Sequence, residues 1–158
     1  MMELPPAAHR VETTAVEFGL KIEIRIMPAS TRTAVEAAEA VGAEVGQIVK
    51  SLIFKGKDSG KPYLLLVSGT NRVNENQVAR HLGEGIDRPD ADFVREATGF
   101  AIGGIPPLGF ATPLRTWMDE DLLQYETVWA AAGTPNAVFS VDPEALRAAV
   151  GAHAIKVT

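Results

Sequence analysis

The chain has 158 residues, 46% of them hydrophobic and 22% charged, with a net charge of −5 and no cysteine. That composition describes a globular chain, and the length predicts one domain over residues 1–158 with a sizeable core. It excludes disulfides, thiolate metal sites and a cysteine nucleophile, and the acidic balance excludes a protein that tracks a long duplex by its phosphates. Any nucleic-acid contact must therefore be small and local. The longest apolar runs fall short of the roughly 18 residues of a transmembrane helix. The start, MMELPPAAHR, lacks the basic-then-apolar profile of a signal peptide. Together with the missing cysteine, these features fit a cytoplasmic protein.

In chain order, residues 6–18 predict a helix with Val11, Ala15 and Phe18 on one side and Gly19 as the stop. Lys21–Met27 alternates strictly and predicts a half-buried strand, with Ile22, Ile24 and Ile26 facing one way and Glu23 and Arg25 the other. Thr33 and Glu36 form a capping-box pattern, and Gly42 closes the short helix that follows. Gln47–Phe54 and Pro62–Ser68 predict a hairpin around the turn Lys57–Gly60. Asn74 and Asp90 are caps for helices over 75–82 and 91–97, ended by Gly83 and Gly99.

The stretch Thr98-Gly-Phe-Ala-Ile-Gly-Gly-Ile-Pro-Pro-Leu-Gly109 predicts a short strand, Phe100–Ile102, running into a Gly/Pro elbow. Paired glycines permit close backbone approach, and Pro106 and Pro107 fix the exit. Amides at Gly103, Gly104 and Ile105 suit recognition of a phosphate, carbonyl or carboxylate, although an ordinary turn explains the same residues. Strands are predicted at 113–118, 127–131 and 137–141 around the turn Gly133–Asn136. A helix follows, capped by Asp142 and stopped by Gly151, then an edge strand over 154–157. The expected fold class is α/β of the α+β type, a mixed, largely antiparallel sheet or open barrel with helices around it.

Among candidate residues Lys50 is the sharpest. Ile48, Lys50, Leu52 and Phe54 share one strand face. A charge there costs several kcal/mol, by rough estimate, unless an anion or dipole meets it, or its stem is buried and its amine reaches water. His9, His81 and His153 have no metal-ligand spacing, and there is no phosphate-binding glycine fingerprint and no Gly-x-Ser-x-Gly elbow. Asp119-Glu120-Asp121 reads either as a carboxylate pair or, more simply, as a helix start. Lys55, Lys57 and Lys61 cluster at the hairpin tip. Thr134 and Asn136 sit in a turn, where both types are ordinary.

The order Ile-Val-Lys50-Ser-Leu-Ile-Phe, then Thr98–Gly109, then Ala-Gly133-Thr-Pro-Asn-Ala-Val-Phe resembles the YbaK/EbsC family. This family comprises the free-standing relatives of the editing domain inserted in bacterial prolyl-tRNA synthetase. The resemblance spans about residues 20–157. It implies a YbaK-like fold and hydrolysis of mischarged aminoacyl-tRNA, chiefly tRNA for proline, without cofactor or metal. The implied partner is the CCA end of the tRNA, with prolyl-tRNA synthetase as a further candidate.

Under the resemblance, Lys50 falls on the family's essential lysine, which holds the terminal adenosine end and orients the ester. Gly103, Gly104 and Ile105 fall on the loop that contacts the aminoacyl group and its ribose. Thr33, Pro106, Thr134 and Asn136 complete the expected substrate-binding set. Water or a group on the substrate attacks the ester, so no protein nucleophile is expected. Val138 stands near where members acting on cysteinyl-tRNA carry an Asp. The expected substrate therefore carries alanine, serine or threonine rather than cysteine. Two other classes compete with this reading: a non-catalytic binder of the aminoacylated CCA end or of a synthetase, and a small-molecule ester hydrolase.

Overall fold

The structure, a computed structural model, describes residues 4–158. Five α-helices and eight strands alternate along the chain: α1 (Pro6–Glu17), β1 (Ile24–Ile26), α2 (Ala34–Val41), β2 (Ile48–Gly56), β3 (Pro62–Ser68), α3 (Glu75–Leu82), β4 (Ile86–Asp87), α4 (Ala91–Thr98), β5 (Arg115–Asp119), β6 (Val128–Ala131), β7 (Ala137–Val141), α5 (Pro143–Val150) and β8 (His153–Ile155). Local signals set the helix ends. Thr33, Asn74, Asp90 and Asp142 each accept a backbone N–H of the first turn, and Gly42, Gly83, Gly99 and Gly151 close the helices with positive φ. No helix among the described residues is long and apolar enough to cross a membrane.

The strands form one open mixed sheet in the order β1-β7-β6-β2-β3-β5-β8. The pairs β1–β7, β7–β6, β2–β3 and β2–β4 are antiparallel, whereas β6–β2, β3–β5 and β5–β8 are parallel. The mixed sheet matches expectation, with parallel pairing at three of its joins. Because β3 occupies one edge of β2 along its length, β6 and β4 share the other. β6 takes Ile48 and Val49, and β4 takes Lys55 and Gly56. Among the described residues no strand pairs with the stretch from Lys50 to Phe54 on that second edge, so the sheet has a notch there.

Alternation divides the core. Val49, Ile53, Leu64, Leu66, Ala130 and Phe139 face a large cluster with α1, α4, α5 and the 98–110 segment. Phe54, Tyr63, Leu65 and Val67 face a second cluster with Val78 and Leu82 of α3, and Ile48 joins Ala37 and Ala38 of α2 in a third. β3 is therefore covered on both faces. Leu64, Leu65, Leu66 and Val67 are fully buried, which explains its unbroken apolar run. Each such side chain contributes about 1.5–3 kcal/mol on burial.

Several expectations are corrected. Phe100–Ile102 is not a strand. Phe100 is buried in the large cluster while Thr98 Oγ1 bonds its backbone N–H and carbonyl, so local side-chain bonding replaces a ladder. The first strand pairs only over three residues, because β7 offers only Ala137 to Phe139 to it. β5 runs from Arg115 rather than 113, and β8 from His153 rather than 154. β4, a two-residue pairing, carries no periodic signal. The Asp119–Asp121 run starts a 3₁₀ turn over Glu120–Gln124 capped by Asp119, in line with the simpler reading.

The β2–β3 hairpin is held by Glu84, which accepts bonds from Tyr63 Oη, Ser59 Oγ and the N–H groups of Asp58 and Ser59. Those donors, Tyr63 foremost, pull its carboxyl from the ordinary 4.5 down to about 2. A depressed carboxyl stabilises the fold above its ordinary value and loses that contribution as pH falls through the folded value. Between about pH 4.5 and 2, stability should therefore fall more steeply in the parent protein than in Glu84→Gln. Glu84→Gln should also melt at a lower temperature at neutral pH. Thermal melts across that pH range check both outcomes.

Candidate active site

The site lies on the α2 side of the sheet, beside the notch. Register fixes its floor. Ile48 pairs with Trp129, Ala131 with Val138, and Val138 with Arg25, so Ile48, Lys50, Leu52, Trp129, Ala131, Val138 and Arg25 share one face. A cavity of about 660 Å³ opens above this face, within the usual range for small-molecule sites. Thr33, Ala34, Ala37 and Val41 of the α2 region form one wall, and Arg32, Ile102 and the Gly103–Ile105 loop form the rim. The lining is mostly apolar, with cations at Lys50 and Arg32. Arg25 lies over the Trp129 ring, 5.1 Å from its centre.

Lys50 stands between the cluster under α2 and the cluster under α3. Its Nζ donates to the Asn71 carbonyl at 2.6 Å. Burial pulls its pKa below the ordinary lysine value. The Asp119 carboxylate opposes that pull, and the Arg72 guanidinium adds to it. The carbonyl is the dipole that a charge on this face requires.

The 98–109 loop reaches the cavity across the β6–β7 turn. Gly104 is buried and accepts the Gly133 N–H through its carbonyl at 2.9 Å. A Cβ on Gly104 would lie 2.7–2.9 Å from backbone atoms of Thr134, so only glycine permits this approach. Gly103 has a φ of 102°, and the Arg32 side chain lies about 3.5 Å from where its Cβ would be. Among the described residues no backbone hydrogen bond engages the N–H groups of Gly103, Gly104 or Ile105.

The structure thus brings Lys50, Thr33, Gly103, Gly104 and Ile105 to the lining of one cavity. It does not bring Pro106, Thr134 or Asn136 to the cavity wall. Pro106 is buried behind the loop. Thr134 Oγ1 donates to Asn136 Oδ1 at 3.2 Å, and Asn136 Nδ2 donates to the Met27 carbonyl at 3.1 Å. Thr31 bonds the Pro135 carbonyl through both its N–H and its Oγ1. The turn therefore ties the segment before α2 to the loop. Thr33 is a capping residue whose hydroxyl is engaged by Glu36.

Of the hairpin-tip lysines, Lys55 lies over the Phe93 ring and Lys57 is 3.8 Å from Asp87, both away from the cavity. Arg32, Trp129 and Ile102 on the rim and floor were not singled out by the sequence. Only the position of Arg32 next to the cap Thr33 hinted at any of them. Ile102 is 60% exposed, which is unusual for an isoleucine and places it at the cavity mouth.

The fold and the site together define an α/β protein whose open mixed sheet carries a lysine-bearing, glycine-rimmed cavity. Residues 28–149 match the aminoacyl-tRNA editing domain, and the chain belongs to that family. It is 26% identical over 136 residues to the YwhH protein of Bacillus subtilis, covering 86% of both chains. It is also 26% identical over 115 residues to EbsC of Enterococcus faecalis, covering 72% of this chain and 70% of that one; EbsC is named as a candidate deacylase of Cys-tRNA(Pro) and Cys-tRNA(Cys). It matches a segment of the proline–tRNA ligase of Limosilactobacillus fermentum at 34% identity, covering 55% of this chain and 16% of the ligase. A crystal structure described as a candidate trans-editing enzyme for prolyl-tRNA synthetase superposes with a TM-score of 0.93 at 50% identity, covering 99% of each chain. These findings bear out the YbaK-like fold expected from the sequence.

Gly104→Ala should force the loop and the β6–β7 turn apart. The expected cost is about 1–3 kcal/mol of stability, as for other overpacked sites. Urea unfolding measures it, and crystallography of the variant should show the 103–105 rim displaced from Thr134.

Proposed function

We propose that this chain hydrolyses the ester bond of mischarged aminoacyl-tRNA in trans, with tRNA for proline carrying a small wrong amino acid as its substrate. The observation that carries this reading is that Lys50 and the Gly103–Ile105 loop line one cavity. The names of the relatives support it, since they point to prolyl-tRNA and its synthetase. An apolar synthetase pocket rejects a smaller side chain by only about 1–3 kcal/mol per methylene, so a second site is needed to remove errors.

In this reading the terminal adenosine enters over the rim and the aminoacyl group lies against the floor. The Lys50 ammonium holds the adenosine end and orients the ester. The amides of Gly103, Gly104 and Ile105 meet the carbonyl oxygen as charge develops on it. Water, or a hydroxyl of the substrate, attacks the carbonyl carbon. The bond to the ribose oxygen breaks, that oxygen regains a proton, and with water as the attacker the amino acid leaves as the free acid.

The lining bears on the amino acid. Thr31 and Thr33 have their hydroxyls engaged by protein groups, and Thr134 and Asn136 bond one another and Met27. Ala34, Ala37, Ala131 and Val138 supply apolar surface. Ser51, also on the lining, has a buried hydroxyl with no partner among the described residues. A hydroxyl-bearing substrate side chain therefore has one candidate partner there against many apolar contacts for a methyl group, and alanine is preferred over serine and threonine. The Val138 floor offers no carboxylate for cysteine.

Single-turnover deacylation of tRNA for proline charged with alanine, serine, threonine or cysteine tests this reading. Alanine should be released fastest. Lys50→Ala should lose at least about 100-fold in rate, on the scale of removing one group that stabilises a developing oxyanion, with an unchanged circular dichroism spectrum. Near-parental turnover by a folded Lys50→Ala protein overturns the role of the lysine. Cysteine as the best substrate overturns the argument from Val138. Protection of the ester without release identifies a binder, and turnover of simple aminoacyl esters independent of tRNA identifies a small-molecule hydrolase.

A further inference from the structure

Asp119 is 1% exposed, yet it carries a carboxylate. No ion pair neutralises it among the described residues. Instead it accepts from the Ser68 N–H at 3.0 Å, from Asn71 Nδ2 at 2.8 Å and, through its other oxygen, from the Asp121 N–H at 2.9 Å. Burying an acid at the end of a strand is costly unless its bonds are satisfied. Here the bonds converge on one short turn.

That turn, from Ser68 to Asn71, leaves β3 and passes beside Lys50. The Asn71 N–H bonds the Ser68 carbonyl at 2.9 Å, which closes the turn. Ser68 Oγ donates to the Gly46 carbonyl at 2.7 Å, which ties the turn to the segment before β2. The Asn71 side chain is bonded by both Asp119 and Asp121, each at 2.8 Å. With its amide clamped, the Asn71 backbone carbonyl has one orientation, and it accepts the Lys50 ammonium at 2.6 Å. A chain of short bonds thus runs from the buried acid through an asparagine to the lysine on the cavity wall.

We propose that Asp119 and Asn71 are positioning residues for Lys50, setting where its ammonium stands on the cavity wall. The role in catalysis rests on the deacylase reading above; the positioning itself does not. A lysine stem has four rotatable bonds, and an unanchored ammonium would spread over several positions. Misplacing a catalytic group by about 1 Å costs up to roughly 100-fold in rate. The Asp119–Asn71 clamp removes that spread at a place where the notch leaves one edge of β2 without a partner strand. The charges acting on Lys50 are Asp119 from β5 and Arg72 from the loop before α3, with Arg32 on the rim of the same cavity and Asp121 bonded to Asn71, so Asp119 also favours the ammonium that Arg72 and burial disfavour.

The test uses the full chain with ¹³C,¹⁵N-labelled lysine and the variants Asn71→Ala and Asp119→Asn. Glu120→Gln, exposed and next in sequence, is the control. In NMR titrations the Lys50 signal should move to lower pH in Asp119→Asn and stay in place in Glu120→Gln. In single-turnover assays Asn71→Ala should lower the saturating rate at least about tenfold, with the half-saturating concentration changing by less than about threefold, the pattern of lost orientation rather than lost binding. A Lys50 titration that Asp119→Asn leaves in place overturns the proposal. So does a parental saturating rate in a folded Asn71→Ala protein. If the parent protein releases no amino acid from any tRNA, the deacylase reading fails, and the Lys50 titration alone decides the positioning.

Discussion

The site depends on one backbone contact. Gly104 lies against the Thr134 backbone so closely that no Cβ fits between them, and its carbonyl takes the Gly133 N–H. Through this contact the 98–109 loop crosses from the large core cluster to the opposite side of the sheet. The same β6–β7 turn bonds Thr31 at Pro135 and Met27 at Asn136, so it also places the segment that leads into α2. Two walls of the cavity, remote in sequence, are therefore joined at one turn of four residues. Its polar side chains serve this structural purpose.

The second constraint is the sheet topology. β2 is paired along the whole of one edge but shared on the other between β6 and β4. The shared edge leaves a notch at the middle of the strand, next to the lysine. On the same face α2 covers one end and α3 the other, and their clusters do not merge. A sheet uniformly covered by one helix layer would bury Lys50 at a cost no single carbonyl could offset. The gap between the two clusters both admits a ligand and makes a half-buried ammonium tolerable.

These two constraints give the cavity its chemical character. Its floor is apolar, its rim is formed by Gly103 to Ile105, whose N–H groups make no backbone hydrogen bond among the described residues, and its cations stand at Lys50 and Arg32. Such a surface can hold an amino-acid side chain, meet an ester carbonyl and attract a terminal phosphate. The proposed deacylation would need only local contact with nucleic acid, in keeping with a chain of net charge −5.

Local chemistry made much of this legible in the sequence. Caps at Thr33, Asn74, Asp90 and Asp142 and stops at Gly42, Gly83, Gly99 and Gly151 act within one turn of the chain, so the helices could be read residue by residue. The two-residue period of a strand placed Lys50 on one face with Ile48, Leu52 and Phe54, and with it showed the anomaly of the lysine. What depended on register could not be read. Phe100–Ile102 has strand composition but no partner strand, and β4 has a partner but no pattern. Thr134 and Asn136 have side chains suited to a substrate, and only tertiary contact with Met27 shows where those groups are used. Asp119 stood in an acidic run that local rules assign to a helix start, and the 3₁₀ turn confirms that reading. Its link to Lys50 through Asn71 spans 48 residues and then 21. A sequence specifies short-range bonds directly because their partners are neighbours. Long-range bonds follow only once strand order and register have placed the partners together.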